Sequence, residues 1–154
     1  MDVKLVNPFI DAFITVLPQM GFQEPKRTDM HVEQNIVVGL GVTVIVGFTK
    51  EIRGNIAYNM TEDTAKYIAS TMMMGMPVES FDEMAQSAIS EISNMLTANA
   101  ATNLSALGHE VDISTPSLSM GEHCQIKLGN DSYLAVEMDI GGHAMEINIA
   151  VSHE

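Results

Sequence analysis

The chain has 154 residues, of which 46% are hydrophobic and 18% charged, so it can fold around a substantial core. Twenty acidic side chains against seven lysines and arginines give a formal charge of −13. Such a surface repels the phosphates of nucleic acids and of anionic membranes, which argues against both as partners. The charge does not argue against a protein partner that presents a lysine.

The cysteine and histidine content argues against disulfides and metal sites. Cys124 is the only cysteine, so no disulfide can form within the chain. The five histidines lack zinc-site spacings such as C-x2-C or H-E-x-x-H, and we expect this chain to bind no metal and no cofactor. No segment has signal-peptide form or transmembrane length, so we expect a cytoplasmic protein with one domain over residues 1–154.

Hydrophobic periodicity predicts a helix followed by extended chain in the first third of the sequence. Apolar residues at helical spacing indicate a helix over Val3–Met20. Residues 23–34 are polar and indicate an edge strand. The alternation over Ile36–Phe48 is typical of a strand, in which Gly39 and Gly41 allow two arrangements, two strands joined by a tight turn or one strand with a bulge.

The next elements alternate between strand and helix. A strand is predicted over 54–60, followed by a helix from Thr61 to about Met74, with two acidic residues at the positive end of its dipole. Beyond a long helix that follows, residues 111–113 predict a short strand, which Pro116 ends or bends. These elements indicate a single-domain α/β fold, with a mostly antiparallel sheet and helices packed on one face.

The C-terminal third predicts a meander of antiparallel strands. A Gly141–Gly142 turn pairs Ile140 with His143 and places the apolar residues of both strands on one face. The same register sets Glu137 directly opposite Glu146 on the other face, which is unfavourable when both are charged.

A second hairpin is expected just before the first. A loop over 129–131 pairs Ile126 with Leu134 and Cys124 with Val136, and every apolar pair falls on one face. This arrangement puts Cys124 on the buried face. We therefore expect a structural thiol and not a nucleophile.

The longest predicted element is a helix from Ser80 to Gly108. Ser80 and Glu83 have the S-x-x-E spacing of a capping box, and Gly108 suits the left-handed C′ position. An advance of about 100° per residue separates two poles. The predicted core stripe consists of Ala85, Ile89, Ile92, Leu96, Ala100 and Leu107, and the opposite pole of Ser87, Glu91, Asn94, Ala98, Ala101 and Ser105.

The outer pole carries a spaced motif. Ser87-x3-Glu91-x2-Asn94, followed by 21 residues and Pro116, resembles the S/D-x3-E-x2-N-x21-P signature of the CheC/CheX/FliY phosphatases of bacterial chemotaxis. The order of elements is also similar over nearly the whole chain. CheC-like members carry two copies of the motif and CheX-like members one, so the single copy here resembles the CheX side.

The resemblance implies a phosphatase for the phospho-aspartate of a CheY-like response-regulator receiver, which would dock on the motif helix. An amide both donates to and accepts from water, so Asn94 could hold a water in line with the phosphorus. The resemblance implies that Glu91 anchors the receiver's active-site lysine and that the receiver supplies Mg²⁺. Ser87 and Ala98 would belong to the docking surface, with capping or packing as the duty of Ser87. Pro116 would fix the neighbouring loop.

Two alternatives use the same fold without hydrolysis. One is a receiver-binding adaptor, and the other is a component like those of the flagellar switch. The intact acid and amide of the motif favour catalysis, and the lack of an additional domain counts against the switch. By analogy with CheX-like proteins we expect a homodimer formed through the sheet, since long apolar strands here have few lysines at their edges.

Overall fold

The computed structural model describes residues 3–153 of the chain. Within this range three α-helices pack on one face of a five-stranded sheet, and every strand pairing is antiparallel. The predicted fold class is therefore confirmed. The helices are α1 (Asn7–Gln19), α2 (Glu62–Met72) and α3 (Glu83–Ala106), and the strands are β1 (Lys26–Lys50), β2 (Ile52–Met60), β3 (Val111–Ile113), β4 (Ser117–Ile140) and β5 (His143–His153).

The strand pairings close a circuit, because β1 and β4 are long enough to pair twice. β1 pairs with β2, β2 with β5, β5 with β4, and β4 again with β1. The second half of β1 lies between β2 and the first half of β4, whereas its first half pairs with the second half of β4. We call residues 26–40 of β1, with their β4 partners 122–139, the long ribbon. β3 pairs with the last residues of β1.

The main core lies between the helices and the sheet. Strand alternation directs Val42, Val44 and Val46 of β1 toward the helices, where all three are fully buried. A smaller core lies where the long ribbon meets the sheet, and it consists of Val37, Ala57, Leu128, Tyr133 and Ala135. None of the helices in the described range has the length and apolar character needed to cross a bilayer.

Helices α1 and α2, strands β2 and β3 and the last hairpin agree with prediction. A short 3₁₀ turn over Val3–Leu5 precedes α1. α1 itself has a proline in its first turn and ends at Gln19. Thr61 caps α2, because its side-chain oxygen accepts a hydrogen bond from the N–H of Thr64 at 3.2 Å. The strands predicted over 54–60 and 111–113 correspond to β2 and β3. The Gly141–Gly142 hairpin has the predicted register, with Glu137 opposite Glu146.

Of the two arrangements left open for the glycine-containing strand, the single bulged strand is the one found. β1 runs without interruption from Lys26 to Lys50, so the polar segment over 23–34 contributes its first part and is not a separate strand. Its register against β4 shifts between Arg27 and Asp29, between Gln34 and Ile36, and between Val38 and Leu40. The bulges absorb the local irregularity without ending the strand.

The hairpin predicted at residues 129–131 is wrong. β4 is one strand, and Ile126 pairs with Val37 while Leu134 pairs with Val32, all along β1. The long β1 offers a partner to both parts of β4, so no chain reversal is needed. Cys124 is only partly buried, and its Sγ donates to the carbonyl oxygen of Gly121 at 3.6 Å, which corrects the prediction of a buried thiol.

Candidate functional site

The motif-bearing helix α3 begins later than predicted. Asp82 is its N-cap and accepts a hydrogen bond from the N–H of Ala85 at 2.9 Å. The predicted capping box of Ser80 and Glu83 is therefore wrong, because Glu83 is the first helical residue and not the third. At the other end, Gly108 has a φ of 92°, in agreement with its predicted left-handed conformation.

The helical phase is confirmed on both poles with two exceptions, of which the first is Ala101, half-buried on the outer pole. Leu107 is 60% exposed, because α3 ends at Ala106 and Leu107 lies beyond its last turn, and Leu104 is buried instead. The sheet-facing pole consists of the buried residues Ala85, Ile89, Ile92, Ser93, Leu96, Thr97, Ala100 and Leu104. The solvent-facing pole includes the exposed residues Ser87, Glu91, Asn94, Ala98 and Ser105.

A buried hydrogen-bond chain fixes α3 on the sheet. The hydroxyl oxygen of Tyr58 on β2 lies 2.8 Å from Oγ1 of Thr97, which donates to the carbonyl oxygen of Ser93 at 2.7 Å. Because the Thr97 proton is used in that second bond, Tyr58 is the donor in the first. Burial raises the pKa of Tyr58, so its hydroxyl stays neutral and able to donate. These hydrogen bonds set the rotation of α3 about its own axis, and this rotation turns the motif residues toward solvent.

Glu91 and Asn94 line an open cavity of about 460 Å³ on the solvent-facing pole. Ser90 borders it on the helix, and the opposite wall is the segment from Ile113 to Pro116. The structure thus brings Pro116 beside the two motif residues, although 21 residues separate Asn94 from Pro116. Among residues 3–153, the side chains of Glu91 and Asn94 make no hydrogen bond or ion pair, so both are available to a partner.

The wall opposite the helix is the connection between the edge strand β3 and the beginning of β4. We call residues 114–116, which join β3 to β4, the site loop. The Ser114 N–H donates to the carbonyl oxygen of Gly47 at 2.9 Å, and the Gly47 N–H donates to Ser114 Oγ at 2.8 Å. β1 therefore holds the site loop although Pro116 lacks an N–H for the ladder.

Ser87 and Ala98 flank the cavity without lining it. Ser87 lies in a neighbouring concavity of about 500 Å³, which Ser90 also borders. Because Ser87 is exposed in the second turn, it neither caps nor packs the helix, which corrects the predicted duty. Ala98 is exposed further along the pole, and its carbonyl oxygen accepts from Thr102 Oγ1 at 3.1 Å.

The side chains of the cavity allow positioning and electrostatic attraction but supply no strong nucleophile. Its lining contains one carboxylate, one amide and the hydroxyls of Ser90, Ser114 and Thr115, with no histidine, cysteine or basic residue among the lining positions. The sequence did not predict that these three hydroxyl residues belong to the site. The gap to Pro116 is the one signal that places the site loop near the motif.

One group of side chains in the described range could hold a metal ion, and it lies outside this cavity. Ligand atoms of Asp29, His31 and Glu137 all lie within 4.8 Å of one another. Burial and the hydrogen bond with Asp29 raise the pKa of Glu137, whereas the backbone hydrogen bond from Met30 lowers that of Asp29. His31 Nδ1 is 3.1 Å from Asp29 Oδ2, so these groups already engage one another on the long ribbon.

Comparison with known proteins identifies related chains over most of the length. A family model described as chemotaxis phosphatase CheX matches residues 42–139. The CheY-P phosphatase CheX of Thermotoga maritima is 32% identical over 127 residues, which cover 82% of each chain.

Solved structures agree with the sequence comparison. A CheC-like superfamily protein from Shewanella sp. PV-4 has a TM-score of 0.86 and 26% identity, with 99% of each chain covered. A complex of CheX with CheY, BeF3 and Mg²⁺ from Borrelia burgdorferi matches with a TM-score of 0.78 and 29% identity, covering 97% of this chain and 98% of the other. Both the helix layer and the long ribbon fall within these matches.

Proposed function

The chain belongs to the CheX family of chemotaxis phosphatases, and we propose that it hydrolyses the phospho-aspartate of a CheY-like receiver by means of Glu91 and Asn94. The observation that carries the proposal is the placing of this carboxylate and amide side by side, exposed, in an open cavity. An open site suits a protein substrate, since a small molecule is usually enclosed. The relative in complex with CheY supports a receiver as the partner.

Asn94 is the catalytic residue of this proposal. Its side-chain oxygen can accept a hydrogen bond from an attacking water, and its NH2 group can donate one to a phosphoryl oxygen, which would hold the water in line with the phosphorus. An amide is too weak a base to remove the proton, so its contribution is position. The acyl phosphate is itself reactive, and a receiver-bound Mg²⁺ would neutralise the charge on the phosphoryl oxygens.

Glu91 is proposed to fix the receiver and to orient its active-site lysine. A carboxylate one helical turn from Asn94 would pair with that cation when the surfaces meet and exclude water. Ser87 and Ala98 would lie under the docked receiver, because their small side chains allow a close approach. We place this reaction in the cytoplasm, where the resemblance puts the phosphorylated receiver.

The test is the decay of a phosphorylated receiver. A CheY-like receiver would be phosphorylated with acetyl phosphate and Mg²⁺, freed from the donor, and followed with and without the chain. We expect the decay rate to rise in proportion to the concentration of the chain. Binding to the receiver without faster decay would instead indicate the adaptor function.

We also propose that two copies of the chain associate through the long ribbon. Its outer surface exposes apolar side chains that a monomer leaves in water, with Val32 at 63% exposure. The exposed apolar residues of the long ribbon are Met30, Val32, Ile36, Val38 and Leu40, and Met120 lies just beyond it on β4. Light scattering should give twice the chain mass of 16.7 kDa, and Val32→Glu should shift the protein toward the monomer. A wild-type mass of 16.7 kDa at working concentration would exclude the dimer.

A further inference from the structure

The site loop forms an irregularity in the edge of the sheet at the wall of the motif cavity. Phe48 of β1 pairs with Ile113, and Ile45 pairs with Ser117, so two residues of β1 face the three residues of the site loop. The extra residue makes a bulge, which occurs where Pro116 cannot donate to the ladder. Bulges re-aim neighbouring side chains, and this one directs the site loop along Glu91 and Asn94.

Ser114 closes this bulge with both its backbone and its side chain. Its N–H donates to the carbonyl oxygen of Gly47 at 2.9 Å, and its Oγ accepts from the Gly47 N–H at 2.8 Å. The same hydroxyl donates to the carbonyl oxygen of Thr115 at 3.3 Å. The hydroxyl therefore takes the place of the backbone acceptor that the bulge removes from Gly47, and it also ties down the next residue of the loop.

The hydrogen bonds that hold the site loop come from β1 and not from the helix that carries the motif. Asn94 and Glu91 are held by α3, which the Tyr58–Thr97 bond fixes to β2. The opposite wall is held by β1 through Ser114. A change in Ser114 would thus move one wall of the cavity and leave the other in place.

We propose that Ser114 is a positioning residue, whose hydroxyl holds the site loop in the conformation that receives the docked receiver. The inference rests on the proposed phosphatase function and extends it to a second wall of the site. Because the loop would contact the receiver equally in the ground state and the transition state, loss of its position should weaken binding and leave the chemical step intact. Ser114→Ala should raise KM by roughly 2- to 10-fold, the value of one net hydrogen bond, with kcat nearly unchanged.

The conservative variant and a matched control separate positioning from stability. Ser114→Thr keeps the hydroxyl and should restore KM to within about 2-fold of wild type, inside the spread of one hydrogen bond. Ser70 Oγ donates to the carbonyl oxygen of Met76 at 2.8 Å, a side chain to backbone bond outside the cavity. Ser70→Ala should lose a similar bond and leave KM unchanged.

The experiment is saturation kinetics of receiver dephosphorylation with these three variants and wild type, with thermal unfolding measured alongside. A wild-type KM for Ser114→Ala, or an equal rise in KM for Ser70→Ala, would overturn the positioning role while leaving the phosphatase intact. A fall in kcat at unchanged KM would overturn it as well. If wild type itself does not accelerate dephosphorylation, the proposed function fails, and the role of Ser114 fails with it.

Discussion

The two poles of α3 share one helical repeat but have opposite chemistry. The sheet-facing pole is aliphatic and fully buried, as at Ile89 and Leu96, with Thr97 bonded to Tyr58 beneath it. The solvent-facing pole exposes Glu91 and Asn94, whose side chains make no hydrogen bond or ion pair with residues 3–153. Packing in the core therefore constrains the side chains of one pole, whereas the side chains of the other pole are available to bind a partner. Substitutions on the two poles should therefore have separable effects, on stability for one pole and on receiver binding and turnover for the other.

The largest effect on stability is expected from Leu96→Ala. Leu96 is 2% exposed in the main core, and truncation of such a side chain leaves a cavity beneath α3. The free energy of unfolding should fall by roughly 2–5 kcal/mol in denaturant titrations. A loss of less than about 1 kcal/mol would mean that this pole does not carry the core as described.

Ala98→Glu makes the opposite test on the solvent-facing pole. Ala98 is exposed, so the variant should unfold within about 0.5 kcal/mol of wild type. Its added bulk and charge should nevertheless prevent acceleration of receiver dephosphorylation. If its thermal melt resembles that of Leu96→Ala, the two poles are not distinct.

Glu91→Ala should weaken receiver binding without changing the fold. An unpaired lysine left in the closed interface costs on the order of 2–5 kcal/mol, so the Kd should rise by more than 10-fold. Glu91→Gln keeps the shape and removes the charge, and it should resemble Glu91→Ala. Calorimetric titration with a receiver measures both. Wild-type affinity in Glu91→Gln would show that charge is not what Glu91 contributes.

A smaller effect should distinguish two threonines of α3 that make the same local bond. Thr97→Val leaves the buried Tyr58 hydroxyl without its partner, which should cost about 1–3 kcal/mol. Thr102 also donates to the carbonyl oxygen four residues earlier, but it is exposed. Thr102→Val should be within about 0.5 kcal/mol of wild type. Equal losses in the two variants would mean that the Tyr58 contact adds nothing.

The poles of α3 could be predicted from sequence because helical phase depends only on residue spacing. All six predicted outer positions lie on one uninterrupted helix and five of them are exposed, and five of the six predicted core positions are buried. The helix ends were less accurate. Asp82 and not Ser80 is the N-cap, and the helix ends at Ala106, one residue before Leu107.

The long ribbon and the site loop could not be predicted in the same way. A glycine-containing loop at residues 129–131 satisfied the alternation rule locally, but β1 provides a longer partner for β4. Strand pairing over a separation of about a hundred residues leaves no local pattern. The position of Ser114 beside Asn94 likewise depends on a bulge, and a bulge is defined only by the partner strand.

Asn94 is expected to act in the chemical step, whereas the rest of the solvent-facing pole binds the receiver. Saturation kinetics of Asn94→Ala with a phosphorylated receiver test this assignment most directly. Without the amide the water is no longer held in line, so kcat should fall by about 10²-fold or more, with receiver affinity close to wild type. A wild-type kcat for Asn94→Ala would contradict the catalytic assignment.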